Sequence, residues 1–464
     1  VSAKGLLALL LLGLASCAYY NGMYNARHLA GDARKAERDG RAFEASRLWG
    51  LAATKAESLQ VQHPKSRYVA EARLIQATSL ERSGDCVTAA PLAASALAGS
   101  HDVDVTEEAA LLMGRCYEQL DDPAAALDAY DRLLESADDD RRTEAVYRHG
   151  RALRELGRYD DAITDLSKSE HPRARGERAA AYMGAGRVSE GLAVVDTLLA
   201  VRDSLAPWSD ILDLYGQQDP VAASSLTTRV ARDSSFRRAD RVTWVVADAE
   251  RLAPLDPVRA ASLLALAESL GGGSSPGTRK AELALVRAEL SAVRTLPELV
   301  PMAEKLSDIR ELGGPSALQA GRLIFSIQAV QGATDSALLN RPQADLRFFL
   351  AAELARDSLQ AFELAGGLLH DILVRWPDSP YAPKAALALG LVGAESSDSL
   401  RDGILARQAS SPYLLALRGE PAPGYRELED SLRIFMNQYR APASKQRSPL
   451  RPGAKPTLVP RDDR

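Results

Sequence analysis

Aromatic residues make up only 5% of this 464-residue chain. Alternating Val/Ile/Thr segments are nearly absent as well, which removes the pattern of half-buried strands. Six histidines (28, 63, 101, 149, 171 and 370) are scattered, and none forms an H-E-x-x-H or other paired metal spacing. No G-x-x-x-x-G-K-[ST] loop and no G-x-S-x-G elbow occurs. The stretch GGGSSPG at 271–277 lacks the lysine and preceding strand that a phosphate cradle needs, and reads as a linker. Asp138-Asp139-Asp140 reads as a solvated loop between helices. No catalytic residue, metal site or cofactor is expected, and the chain is not read as an enzyme.

Charge excludes another class. The chain holds 57 Lys/Arg against 62 Asp/Glu, a formal net charge of -5. The last 24 residues carry six Lys/Arg and two Asp, so the body before them is clearly acidic. Nucleic acid needs a basic field that this body lacks, so no nucleic-acid partner is expected. Beyond residue 17 no apolar run approaches the length of a membrane-spanning helix.

What the chain has in abundance is Ala, Leu, Glu and Arg in 3.6-residue periodicity, an all-helical composition. In the first 200 residues the helices repeat. ALLMGRCYEQLDDPAAALDAYDRLLE aligns with AVYRHGRALRELGRYDDAITDLSK at an offset of 36, setting Gly114 with Gly150 and Tyr130 with Leu166. An earlier copy carries Ala77, Gly84 and Ala89, a later one Ala179, Gly186 and Gly191, and a weaker first copy begins near Ala33. Small residues midway along both helices of a pair let the pair approach closely, and large residues three or four positions away fill the surroundings. Glycine marks the turn inside a pair, as in Leu156-Gly157-Arg158. Asp122-Pro123 replaces it once, with Asp122 as cap and Pro123 at a first helical position. Each pair leaves an apolar face uncovered, so pairs must stack.

These residues resemble the tetratricopeptide repeat, most specifically at G-R-Y-D-D-A-I, 157–163. The resemblance implies an all-α solenoid of helix-turn-helix pairs, a right-handed superhelix whose first helices line a concave groove. A second phrase, HPKSRYVAEA at 63–72, returns as WPDSPYAPKA at 376–385 and SSPYLLAL at 410–417. In it Ser66 or Ser379 caps the next helix, Pro380 takes a first helical position and the tyrosine packs back. The phrase is similar to the junctions of BamD-like outer-membrane assembly lipoproteins and related periplasmic repeat proteins.

The N-terminus fits that company. Lys4, an apolar run from Gly5 to Leu14 and the stretch Leu14-Ala15-Ser16-Cys17 follow the order of a bacterial export signal. LASC resembles a lipobox, which implies lipidation of Cys17 as the first mature residue and attachment to a membrane. The expected organisation is a lipoprotein signal at 1–16, an N-terminal repeat array at 17–200 and degenerate helical repeats at 201–340. A repeat-like helical region at 341–440 and a disordered Pro/Arg-rich tail at 441–464 follow.

Cys86 and Cys116 fall in neighbouring repeats. They read either as a bridge stapling the two, suited to an oxidising compartment, or as two small buried hydrophobes. Arg115, Tyr147, Arg151 and Arg154 fall near the implied groove face, where arginine would hold carboxylates of a partner segment. The preferred alternative is a solvated face ion-paired through Glu118, Glu144 and Glu155. The function expected is a membrane-anchored, non-catalytic scaffold in the bacterial cell envelope, on the periplasmic side of the outer membrane. Its partners would be envelope proteins or peptide segments, with outer-membrane protein assembly as the specific version. The alternative is a cell-wall-processing factor or enzyme using residues 201–340.

Overall fold

The computed structural model describes residues 22–273, 275–392 and 398–438, and every regular element among them is helical. The expected export segment, Cys17 and the 441–464 tail lie outside the described residues. The chain divides between Arg237 and Arg238 into two compact units.

The first unit is built from α1 (22–38), α2 (Ala42–Gln62), α3 (Val69–Arg82), α4 (Cys86–Gly99), α5 (Val103–Gln119) and α6 (Pro123–Asp131). It continues through α7 (Asp139–Glu155), α8 (Tyr159–Lys168), α9 (Ala174–Gly184), α10 (Val188–Ala200), α11 (Trp208–Gln218) and α12 (Pro220–Arg232). From α2 to α10 consecutive helices pack on one another, α11 packs on α9 and α12, and the first helices of successive pairs also touch: α3 on α5, α5 on α7, α7 on α9, α9 on α11. That is the stacking which pairs with one uncovered apolar face require.

The turns inside the pairs share one construction. Gly40, Gly84, Gly157 and Gly186 adopt left-handed backbone (φ 73°, 84°, 74° and 72°), and the next residue is the N-cap of the second helix. Glycine reaches that region without a Cβ penalty, and aspartate tolerates it better than most residues. Asp121 (φ 58°) therefore stands where the other turns have glycine. Asp122 then accepts from the Ala125 amide at 3.0 Å, with Pro123 in the first turn of α6, as the dipeptide predicts.

Within the pairs the small residues do what their spacing implies. A Cβ on Gly114 of α5 would land inside the ring of Tyr130 from α6, which is fully buried. A Cβ on Gly150 of α7 would come within 2.7 Å of Leu166 from α8. Aromatic or leucine side chains thus cross the partner helix over bare backbone.

The second unit runs through α13 (Arg238–Leu252), α14 (Pro257–Ser269), α15 (Pro276–Ser291), α16 (Leu299–Glu311), α17 (Gly314–Ala333) and α18 (Ala344–Asp357). After these come α19 (Phe362–Arg375), α20 (Ala382–Leu391), α21 (Asp398–Arg407), α22 (Pro412–Leu417) and α23 (Tyr425–Gln438). One apolar cluster extends from Leu283 to Phe435, with Phe348, Phe349 and Ile372 buried in it. Here α13 touches α15 and α15 touches α17, so the alternate-helix stacking recurs.

The phrase shared by 63–72 and 376–385 has one backbone solution. His63 and Trp376 leave their helices at nearly the same angles (φ -135°, ψ 60° and φ -132°, ψ 60°). Ser66 Oγ and Ser379 Oγ then accept from the amides of Tyr68 and Tyr381, each at 3.0 Å. Tyr68 is partly buried on the core of α1–α3, and Tyr381 is buried in the second unit. Pro380, expected at a first helical position, instead precedes the helix: α20 starts at Ala382, and Pro383 occupies its first turn. The serine-closed turn consumes the two residues after Ser379 and delays the helix. The third copy differs, because Ser411 is itself the N-cap of α22, accepting from Leu414, with Pro412 in the first turn.

Candidate functional site

The first helices α3, α5, α7, α9 and α11 carry a chain of ion pairs that crosses from repeat to repeat. Arg115 Nε of α5 donates to Glu81 Oε1 of α3 at 3.0 Å. Glu118, one turn on, accepts from Arg148 Nη1 of α7 at 2.5 Å and from the Tyr130 hydroxyl at 3.0 Å. Arg151 lies 4.0 Å from Glu118 and donates to Glu155 at 2.9 Å. Arg154, with its side chain 7% exposed, holds Glu177 of α9 at 2.8 Å and Asp210 of α11 at 2.8 Å. Tyr147 is buried and stacks on His171, ring centres 4.0 Å apart.

Electrostatics follow from burial and pairing together. Burial alone would lower the guanidinium pKa values of Arg148, Arg151 and Arg154, but the neighbouring carboxylates more than offset it and the net direction is up. Burial pushes the Glu177 carboxyl up, against the pull of Arg154 and Arg151. Burial likewise holds the His171 imidazole below its ordinary value, with Glu144 at 3.4 Å opposing.

Of the four candidate groove residues, Arg115, Arg151 and Arg154 are therefore already paired with carboxylates of their own chain, and Tyr147 is packed. The arginines are ion-paired as the alternative reading expects, but the face is not the solvated one it describes, since Glu81, Arg154, Glu177 and Tyr147 are buried. Glu118, Glu144 and Glu155 take part as that reading expects, Glu144 as a partner of Arg148. What sequence reasoning missed are Glu81 and Glu177, partners from adjacent repeats, and Asp210, from the repeat beyond. The signal was present: Glu81 and Arg115 are 34 residues apart, about one repeat. Around Arg154 a cleft of about 450 Å³ is lined by Asp121, Pro123, Glu155, Tyr159, Asp210 and Leu214, so carboxylates surround the guanidinium.

Cys86 at the start of α4 and Cys116 late in α5 face each other as a disulfide pair, Cα atoms 5.0 Å apart, within the span such a bond allows. Both are buried. A bridge over 30 residues should stabilise the folded chain by about 3–4 kcal/mol on the loop-entropy model. Intact-mass measurement after alkylation without reductant is expected to leave both thiols unmodified, and reduction to lower the unfolding midpoint. Alkylation of both without reductant would leave the buried-hydrophobe reading. Among the described residues no His/Cys/Asp/Glu group suits a metal ion, and no helix is long and apolar enough to cross a membrane.

A tetratricopeptide repeat family model matches residues 108–139 and 144–170, which cover most of α5–α6 and α7–α8. No curated protein matches the chain. Among solved structures, a chain of "Crystal structure of APC/C hetero-tetramer Cut9-Hcn1" is similar over 89% of this chain and 71% of that one. Its identity is 14% and its TM-score 0.24. Among the described residues the chain is all-α, and the matched segments, 108–139 and 144–170, are tetratricopeptide-type helix pairs, a repeat that serves to bind other proteins or peptides.

Proposed function

We propose that this chain is a lipid-tethered, non-catalytic scaffold of the bacterial cell envelope that holds other envelope proteins, with outer-membrane protein assembly as its specific setting. The observation that carries the scaffold reading is the uninterrupted stack of helix pairs in the first unit. Each first helix contributes to one surface, and buried cross-repeat pairs fix the spacing of its rungs. Such a surface binds by shape and charge over length rather than in one pocket. The tether and compartment rest on the LASC stretch and the resemblance of the 63–72 phrase to envelope repeat lipoproteins.

Two measurements test it. With Cys17 intact, a pull-down from solubilised envelope is expected to recover outer-membrane assembly components. Their absence, with cell-wall enzymes recovered instead, would turn the reading towards wall processing. The Cys17→Ala chain is expected to leave the membrane fraction, and its retention there would remove the lipid anchor from the proposal.

A further inference from the structure

Two clefts of the second unit form one groove. A cleft of about 830 Å³ lies along α13 and the loop before α15, and another of about 790 Å³ lies along α15 towards the start of α17. They share Glu250, Gly277 and Lys280, so they run into each other. Val242, Val246 and Ala284 give the groove apolar surface. The 271–277 stretch is more than a linker here, since Thr278 Oγ1 donates to the Gly272 carbonyl at 2.7 Å and Arg238 donates to the Leu270 carbonyl. A Cβ on Gly272 would strike Val242, so glycine lets this loop lie flat on α13 and form a wall.

Charge along the groove is one-sided. Arg238, Lys280 and Arg287 line it, against the single carboxylate of Glu250. Lys280 is 2.7 Å from Glu250 with 68% of its side chain exposed, so its ammonium remains reachable. Arg287 hydrogen-bonds the neutral Gln319 at 3.1 Å and has no carboxylate within ion-pair distance among the described residues. This contrasts with the first unit, where each candidate arginine already sits on a carboxylate.

The geometry points to this groove as the docking site for an extended, acidic segment of another protein, apolar side chains against Val242, Val246 and Ala284 and carboxylates against Lys280 and Arg287. The inference rests on the scaffold reading and locates its partner surface outside the two matched repeats. An elongated groove of this combined size suits several residues of extended chain, and charge complementarity selects the acidic kind.

A random decapeptide display library selected on the full chain tests it. Enriched sequences are expected to combine apolar residues with Asp or Glu. Lys280→Glu with Arg287→Glu should weaken a synthetic enriched peptide at least about tenfold by fluorescence anisotropy. Glu250→Gln should tighten it, a gain that a misfolded variant does not produce. Enrichment of basic peptides, no enrichment, or unchanged binding by the double variant would overturn the acidic-segment assignment. If the envelope pull-down still recovers partners in that event, the scaffold reading stands and only this groove is wrong.

Discussion

Gly114→Ala is expected to destabilise the first unit by about 2 kcal/mol, although alanine is the better helix former. Two effects oppose each other. In an open helix interior the change stabilises by about 0.5–1 kcal/mol. At Gly114 the new Cβ meets the ring of Tyr130, which is fully buried and whose hydroxyl donates to Glu118 at 3.0 Å. The ring cannot swing aside without leaving that bond and its packing, and overpacking a core commonly costs about 1–3 kcal/mol. Gly50 in α2 is the internal control, since nothing lies within 4 Å of its added Cβ. Gly50→Ala should raise the urea midpoint and Gly114→Ala lower it. Adding Tyr130→Ala to Gly114→Ala should cost less than the two separate losses combined, because the clash vanishes with the ring. Movement of both glycine variants in one direction would refute close approach as the reason for Gly114.

The same residues explain why so much of this fold was legible. Gly114, Gly150, Tyr130 and Leu166 act within one helix pair, across a short turn, and local spacing encodes such contacts directly. Asp122-Pro123 starts α6 through a bond to its own third residue. The helical region expected over 341–440 ends, among the described residues, with the helix Tyr425–Gln438. Pro380 shows the limit of local reading. The proline was compatible with a helix start, but the turn closed by Ser379 on Tyr381 set the boundary two residues later.

Contacts between pairs were harder to read. Arg154 offered Glu155 as a near partner in sequence, whereas the structure turns it towards Glu177 at 2.8 Å and leaves Glu155 at 3.8 Å. Which of two acids an arginine meets depends on how α7 and α9 stack, and the spacing between repeats is irregular here. In the second unit the groove was invisible to motif reading. Its wall depends on Gly272 lying against Val242, and its charge on residues from α13 and α15 that are far from any recurring phrase.

Arg154→Leu is expected to destabilise the first unit by about 3–5 kcal/mol at neutral pH. The loss comes less from the attraction removed than from the carboxylate left behind. Glu177 is 6% exposed, and its partner at 2.8 Å would be gone. Asp210, with 45% of its side chain exposed, returns to water and contributes little. Arg154→Leu with Glu177→Leu should therefore recover most of the loss, since an apolar pair of similar volume replaces a buried ionic one. Acid gives an independent readout. Burial already raises the Glu177 pKa above its ordinary value of 4.5, and loss of Arg154 raises it further. The folded single variant then binds more protons than the unfolded chain above pH 4.5, so its stability falls as pH rises through that window. Its deficit relative to the parent should shrink as pH is lowered towards 4.5, while the double variant shows no such recovery. A deficit independent of pH would mean that the loss arises from packing around the arginine stem, with Glu177 finding water or another cation.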